Sequence, residues 1–145
     1  MQMNKKFLLI PIIIIIVIIV IGSQSNLSEN KTEAAFHVTL ASPDLYENGV
    51  YSHTFVIEKG EYKFRFVPNG DSPKNLAITL AGEDFEFSEN FTLNGTLHET
   101  GISEYYTWDY NGEKLVIVPT LKEISIQINP NGAENGSVSV DIIRN

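Results

Sequence analysis

Three histidines are the residues of this chain best suited to bind a metal. They are His37, His53 and His98. Imidazole nitrogens and carboxylate oxygens are common zinc ligands, and a zinc motif places at least two of them a few residues apart. Because these histidines are widely spaced, a metal-binding protein or metal-dependent hydrolase using them and nearby carboxylates stays an alternative that the spacing does not favour.

A second group of candidate metal ligands is the acidic interval GEDFEFSEN, together with the histidine that follows it. The candidates are Glu83, Asp84, Glu86 and His98. Clustered carboxylate oxygens bind calcium, although this interval lacks the spacing of an EF-hand loop. Phe85 and Phe87 alternate with the acids, which an edge strand with a charged outer face explains equally well. Calcium is therefore possible, and the sequence requires no cofactor.

The densest aromatic patch is EYYTWDY, residues 104–110. Strand geometry would put Trp108 on one face and Tyr105 and Asp109 on the other. An exposed aromatic row stacks on sugar rings, whereas a buried row is core, and large aromatic side chains usually contribute most to a core. We expect Trp108 to be mainly core and Tyr105 with Asp109 to be the better exposed contact.

Several classes of chemistry are excluded or unsupported. The chain has no cysteine, so disulfides, thiolate nucleophiles and iron–sulfur clusters are ruled out. It contains no nucleophile elbow, phosphate-binding loop or dinucleotide fingerprint. Its formal net charge is −8, and an acidic surface repels phosphate backbones, so nucleic acid is not an expected partner. We predict a non-catalytic protein.

Beyond residue 34, apolar and polar residues alternate at every second position, which predicts β-strands with one buried and one solvated face. The predicted strands are 35–41, 51–58, 61–67, 75–81, 104–110, 114–120, 123–129 and 136–142. About eight short strands separated by turn signals predict an all-β fold, a single antiparallel β-sandwich of jelly-roll type over residues 35–145. Between 83 and 103 we expect only a short strand near Phe85 and a longer connection.

An apolar run at residues 7–21 follows two lysines, a pattern typical of a transmembrane or signal helix. The run is about 22 Å long as a helix and the bilayer core is about 30 Å thick, a gap that a helix over 4–23 closes. Only a weak cleavage pattern follows it. We therefore predict that residues 1–22 form a retained anchor in a single-pass cell-membrane protein with its C-terminal domain outside. Cleavage would instead release a secreted protein.

Residues 23–34 are polar and lack periodicity, which predicts a flexible stalk. Two N-glycosylation sequons lie in this stalk and three lie in the predicted sandwich. Their acceptors are Asn26, Asn30, Asn90, Asn94 and Asn135. On the outside of a membrane all five are candidate glycosylation sites.

The stretch KGEYKFRFVPNGDSPKNLAITLAG, residues 59–82, resembles the strand–turn–strand core of small exported β-sandwiches. The similar features are Gly60-x-Tyr62-x-Phe64, the turn at 68–71 and the strand Leu76-x-Ile78-x-Leu80. The families it resembles are the Golgi-dynamics (GOLD) domain and the pre-peptidase C-terminal domain. The apolar N-terminal helix before an acidic sandwich is also similar to membrane-anchored surface proteins of archaea. The resemblance implies a binding or accessory module without catalytic residues.

Together these observations predict a membrane-tethered β-sandwich outside the cell that binds an unidentified ligand. The membrane is one expected partner, and another surface protein or a glycan is the second. A structural subunit of a cell-surface layer is a further alternative.

Overall fold

The two-residue alternation becomes nine β-strands in the computed structural model, which describes residues 34–145. The strands are β1 Ala34–Leu40, β2 Tyr51–Ile57, β3 Gly60–Pro68, β4 Asn75–Gly82, β5 Phe85–Glu99, β6 Glu104–Asn111, β7 Leu115–Val118, β8 Lys122–Asn129 and β9 Val138–Arg144. A single 3-10 turn, Pro43–Leu45, starts after Ser42, whose side chain accepts a hydrogen bond from the Asp44 N–H. The chain is therefore all-β over this region, as its alternation predicts.

The strands form two antiparallel sheets that pack as a β-sandwich. The first sheet has the order β1-β9-β3-β7 and the second has the order β2-β8-β4-β5-β6. Successive strands often lie in different sheets, so β1 pairs with β9 at the far end of the chain and β2 pairs with β8. The predicted sandwich is confirmed, with nine strands in place of about eight.

The core consists of the alternate residues that face inward from both sheets. In β3 the buried positions are Tyr62, Phe64 and Phe66, and in β4 they are Leu76, Ile78 and Leu80. An aromatic cluster joins the two sheets near one edge, where the Phe64 and Phe91 rings lie 5.0 Å apart and Tyr110 meets Phe66 edge-on at 4.8 Å. Offset and edge-on rings are the favoured aromatic arrangements, so this cluster fixes β6 against β3.

The connection predicted over 83–103 is wrong, because most of this region is the longest strand. Strand β5 runs for 15 residues from Phe85 to Glu99. Its first half pairs with β4 and its second half pairs with β6, and Phe91 and Leu93 near the junction are buried in the core. The second half is rich in polar residues and glycine, so its strand conformation depends on pairing and not on an apolar face.

Several predictions concern residues that the structure does not describe. The helix over 1–22, the stalk over 23–34 and the acceptors Asn26 and Asn30 lie outside residues 34–145 or at their border. Within the described residues, no helix combines the length and the apolar character needed to cross a bilayer.

Candidate functional site

The most distinctive feature outside the core is a two-stranded arm formed by β5 and β6. Strand β4 pairs with β5 no further than Thr92, opposite Asn75. From Leu93 to Glu99, the described residues give β5 only one strand partner, residues 104–110 of β6. We call this hairpin, residues 93–99 and 104–110, the β5–β6 arm. It extends the second sheet past the end of β4.

One face of the arm presents aromatic side chains. Tyr106 and Trp108 lie two residues apart on β6, and their rings stack with centroids 5.8 Å apart and planes 28° apart. Leu97 is paired with Tyr106, and Gly95 is paired with Trp108. Tyr106 is 43% exposed and Leu97 is 42% exposed. We call Leu97, Tyr106 and Trp108 the arm platform.

Two glycines set the position of the platform rings. A Cβ atom on Gly95 would lie 2.9 Å from the Trp108 ring, so the indole covers the backbone of β5 at this point. A Cβ atom on Gly70 would lie 3.3 Å from the Tyr106 ring, which places the β3–β4 loop beside the platform. The neighbouring loop residue Asn69 donates a hydrogen bond from Nδ2 to Ser137. The platform thus has a rim of polar loop residues.

Tyr110 anchors the base of the arm to the first sheet. Its hydroxyl donates a 2.7 Å hydrogen bond to the Phe64 carbonyl, and the Lys114 ammonium lies 4.1 Å from its ring centroid. Burial, and then the charge of Asp109, raises the pKa of Tyr110. The phenol is therefore neutral at physiological pH and remains a hydrogen-bond donor.

The opposite face of the arm carries the other predicted contacts. Tyr105 is 51% exposed and stacks on His98, with ring centroids 4.9 Å apart. His98 also shares a 2.8 Å hydrogen bond with the Thr107 hydroxyl. Asp109 is exposed on this face and accepts a hydrogen bond from the Tyr110 N–H. Trp108 thus lies on the other face of β6 from Tyr105 and Asp109. Its side chain is half-buried, which is between the core position expected for it and a fully exposed position.

A lysine from β8 contacts the acidic interval at the β4–β5 turn. Lys122 donates a hydrogen bond from Nζ to the Glu83 carbonyl and lies 5.5 Å from the Phe85 ring centroid. His98 is at the far end of β5 from Glu86, about 40 Å away at ~3.3 Å per strand residue. Within the described residues, no three histidine or carboxylate side chains are grouped so that they could hold a metal ion. The four candidate ligands Glu83, Asp84, Glu86 and His98 are not brought together.

The histidines predicted as alternative ligands lie on three different strands. His37 is on β1 in the first sheet, and His53 is on the edge strand β2, 6.0 Å from the Phe36 ring. His98 is on the β5–β6 arm. The fold therefore separates these three side chains.

A polar network that the sequence did not single out centres on Asp141. This residue is 1% exposed although it points to the outer face of the first sheet. Its two carboxylate oxygens contact His37 Nδ1 from β1 and Arg65 Nε from β3, the latter at 2.8 Å. The alternating run VSVDII predicts that Asp141 points to the outer face of its strand. It does not predict that the side chain is buried there. The long side chains of both flanking strands cover it.

The same network places a hydroxyl, an imidazole and a carboxylate in the order of a hydrolase triad. Thr39 Oγ1 lies 3.5 Å from His37 Nε2, which exceeds the reach of a direct proton transfer. The Thr39 hydroxyl instead shares a 2.8 Å hydrogen bond with Ser139 on β9. The arrangement links β1, β9 and β3.

Three predicted glycosylation acceptors lie within the described residues. Asn90 and Asn94 are exposed on β5 and alternate with inward-facing residues, so they share the outer face of the second sheet. Asn135 is exposed in the β8–β9 loop. All three side chains are accessible, and their glycosylation stays a prediction.

No protein-family model, curated protein or solved structure matches this chain. The segment 59–82, which resembles GOLD and pre-peptidase C-terminal domains, forms β3, a loop and β4, and these two strands lie in different sheets. The resemblance stays a prediction.

Proposed function

We propose that this chain is a non-catalytic binding module, tethered to a membrane outside the cell, that binds a glycan on the arm platform. One observation carries the proposal: the Tyr106 and Trp108 rings stack on each other on a part of the second sheet that lies past the end of β4, where Trp108 packs partly against the core and Tyr106 and Leu97 are left exposed. A side chain needed only for core packing would be placed further inside the sandwich.

The chemistry of the platform suits a sugar ring. One face of a pyranose presents C–H bonds with partial positive charge, and the face of an aromatic ring is negative. Two stacked rings on one strand therefore offer a surface on which a short run of sugar units can lie. Gly70 of the β3–β4 loop lies beside Tyr106. Its chain neighbours Asn69 and Asp71 are therefore placed to bind sugar hydroxyl groups at the rim of the platform. Binding sites of this kind combine an apolar floor with few polar contacts.

The strand order supports a finer description of the fold. We propose a jelly roll in which β6 is an additional strand. Without β6, the remaining eight strands form one sheet ordered β1-β9-β3-β7 and one ordered β2-β8-β4-β5, which is the strand order of a jelly roll built from two Greek keys. Strand β6 then extends the second sheet by one strand and carries the arm platform.

Intrinsic fluorescence tests glycan binding directly, because Trp108 is the single tryptophan of the chain. We would titrate the protein with neutral hexasaccharides of glucose, mannose and N-acetylglucosamine. A ligand that stacks on the platform changes the emission of Trp108 in a saturable way. Absence of a saturable change with every oligosaccharide, confirmed by calorimetry, would contradict the proposal.

Two matched variants locate the site on one face of β6. Tyr106→Ala removes one of the two stacked rings of the platform but keeps the tryptophan signal, so we expect loss of binding. Tyr105→Ala removes the neighbouring exposed tyrosine from the opposite face, so we expect unchanged affinity. If Tyr105→Ala alone abolished binding, the ligand would lie on the His98 face and the platform assignment would be wrong.

The tether is tested separately by fractionation of the producing cells. A retained anchor predicts full-length chain in the membrane fraction that is released by detergent and not by high salt, since apolar insertion is insensitive to salt. Free protein in the medium with a mature N-terminus near residue 24 would show cleavage and would replace the anchor by secretion.

A further inference from the structure

The outer edge of β6 has unusual properties for the edge of a sheet. Its eight residues are EYYTWDYN, and their register with β5 runs without a shift from Glu104 to Asn111. The strand contains no proline and no lysine, and its residues are mostly aromatic or β-branched. These are the residue types that favour pairing with a further strand.

Other edges of the described sandwich carry features that discourage such pairing. Strand β7 is four residues long and is followed by Pro119. Strand β1 contains a register shift between Ala34 and Phe36. Strand β2 lies beside β1, where the Phe36 and Phe55 rings approach to 4.9 Å. Short strands, prolines, bulges and covered edges are the usual protective devices, and β6 has none of them.

The β5–β6 arm is anchored at its base through Leu93 and Tyr110, and from Leu93 on it has only two paired strands among residues 34–145. An isolated two-stranded hairpin is at best marginally stable in water, and three or more strands are normally needed. Apart from the Leu93 N–H, which donates to the Lys74 carbonyl, the strand pairing described for arm residues 93–99 and 104–110 is with each other. A third strand along β6 would supply the missing pairing.

We propose that the occupant of this edge is β6 of a second copy of the same chain, paired antiparallel about a two-fold axis at Thr107. In this register Tyr106 faces Trp108 of the second copy on the platform side, and Tyr105 faces Asp109 of the second copy on the other side. Thr107 faces its own copy on the axis. Aromatic pairs, Thr–Thr pairs and a tyrosine hydroxyl opposite a carboxylate are all favourable across antiparallel strands.

The charges of β6 are compatible with this partner and this register. Its acids are Glu104 and Asp109, and the pairing places them opposite Tyr110 and Tyr105, so no two like charges face each other. A shift that centres the axis on Tyr106 would place Glu104 against Trp108, which leaves a carboxylate over an indole ring. Self-complementarity of one patch is what a two-fold interface requires.

The dimer would join two arm platforms into one surface with four stacked rings. It does not rest on the proposed glycan binding, because strand pairing at the edge leaves both faces of β6 open. A monomeric protein that binds glycans would refute the dimer alone, and a dimer that binds no oligosaccharide would refute the proposed function alone.

The absence of cysteine from the chain allows a sharp test by disulfide trapping. The full chain carrying Thr107→Cys, purified in detergent micelles, is oxidised with copper phenanthroline and run on a non-reducing gel. The register brings the two Cα atoms within disulfide range, so we expect the apparent mass to double from 16.2 kDa. Thr54→Cys places a cysteine at an exposed position of the edge strand β2 and should remain monomeric.

A mixing experiment fixes the register without altering Thr107. Chains carrying Tyr105→Cys and chains carrying Asp109→Cys should form a cross-linked heterodimer when mixed, because these positions face each other. Either chain alone should stay monomeric, since its own cysteines would be four residues out of register. Equal cross-linking at Thr54 and Thr107, or no cross-linking at Thr107 and in the mixture, would overturn the proposal.

Discussion

At the scale of single residues, two partly buried tyrosines differ in whether the hydroxyl group has a hydrogen-bond partner. The Tyr110 hydroxyl donates to the Phe64 carbonyl. The Tyr46 hydroxyl is buried and has no hydrogen-bond partner among the described residues. A buried polar group without a partner costs its full desolvation free energy, whereas a paired one contributes modestly to stability. The two residues therefore allow a matched comparison.

We expect Tyr110→Phe to lower the free energy of unfolding by about 1 kcal/mol, and Tyr46→Phe to leave it unchanged or raise it by up to about 1 kcal/mol. Both changes remove one oxygen atom and keep the ring. Urea unfolding followed by circular dichroism measures both. An equal loss in the two variants would mean that Tyr46 has a partner that the described residues do not provide.

The buried carboxylate of Asp141 is the second residue whose contribution can be measured. It accepts contacts from His37 and Arg65 on the two flanking strands. We expect Asp141→Ala to cost about 2 kcal/mol of stability, because hydrogen bonds to a charged group are lost. The cost stays moderate because His37 and Arg65 are half-exposed and regain water. Glu86→Ala removes an exposed carboxylate and should change stability by less than about 0.5 kcal/mol.

At the scale of elements, the β3–β4 and β8–β9 loops pack closely against each other at a glycine. Gly136 in the β8–β9 loop is buried, and a Cβ atom there would collide with the Asp71 carbonyl and with Pro73 of the β3–β4 loop. The same β3–β4 loop contacts Tyr106 through Gly70. A change at Gly136 is therefore expected to reach the arm platform through one intervening loop.

We expect Gly136→Ala to destabilise the fold by about 1–3 kcal/mol, the usual cost of overpacking against rigid backbone. It should also lower glycan affinity, because the displaced loop forms the rim of the platform. Gly132→Asn is the control, since Gly132 has a φ of 86° that asparagine tolerates and no atom lies near its added Cβ. Comparable losses at both glycines would show that the effect does not come from the contact of Gly136 with Asp71 and Pro73.

At the scale of the whole molecule, several partly buried phenols make the fold sensitive to alkaline pH. Burial raises the pKa of Tyr46, Tyr51 and Tyr110 above the ordinary value of 10.0. The folded chain therefore holds these protons more tightly than the unfolded chain does. Their contribution to stability is fully present below pH 10 and is lost as the pH rises through the higher pKa of the folded state.

We expect the free energy of unfolding to fall between about pH 9 and pH 11, the range in which unfolded tyrosines ionise. A variant with all three phenols replaced by phenylalanine should show a smaller fall. Tyr105→Phe removes an exposed phenol and should leave the fall unchanged. Urea midpoints measured across this pH range decide the question, and identical profiles for all variants would contradict the assigned cause.

Sequence alone predicted the strands whose one face is buried. In β3 and β8, apolar residues alternate strictly with polar ones, and the period of a strand is two, so the pattern fixes both the strand and its inward face. It also separated Trp108 from Tyr105 and Asp109, because neighbours on a strand point to opposite faces. The second half of β5 was not predicted, since Asn94, Gly95 and Thr96 carry no apolar signal and are ordered by pairing with β6.

Only the tertiary structure decided which residues meet across strands. Asp141 lies between His37 and Arg65 because β1 and β3 flank β9, a neighbourhood set by pairings between distant parts of the chain. The same long-range pairings place the three histidines on different strands and leave β6 at an edge of the second sheet, with Tyr106 exposed and Trp108 half-buried. A periodic pattern predicts which face of a strand is buried. Contacts between strands depend instead on which strands pair, and the residues next to each other in the sequence do not determine that pairing.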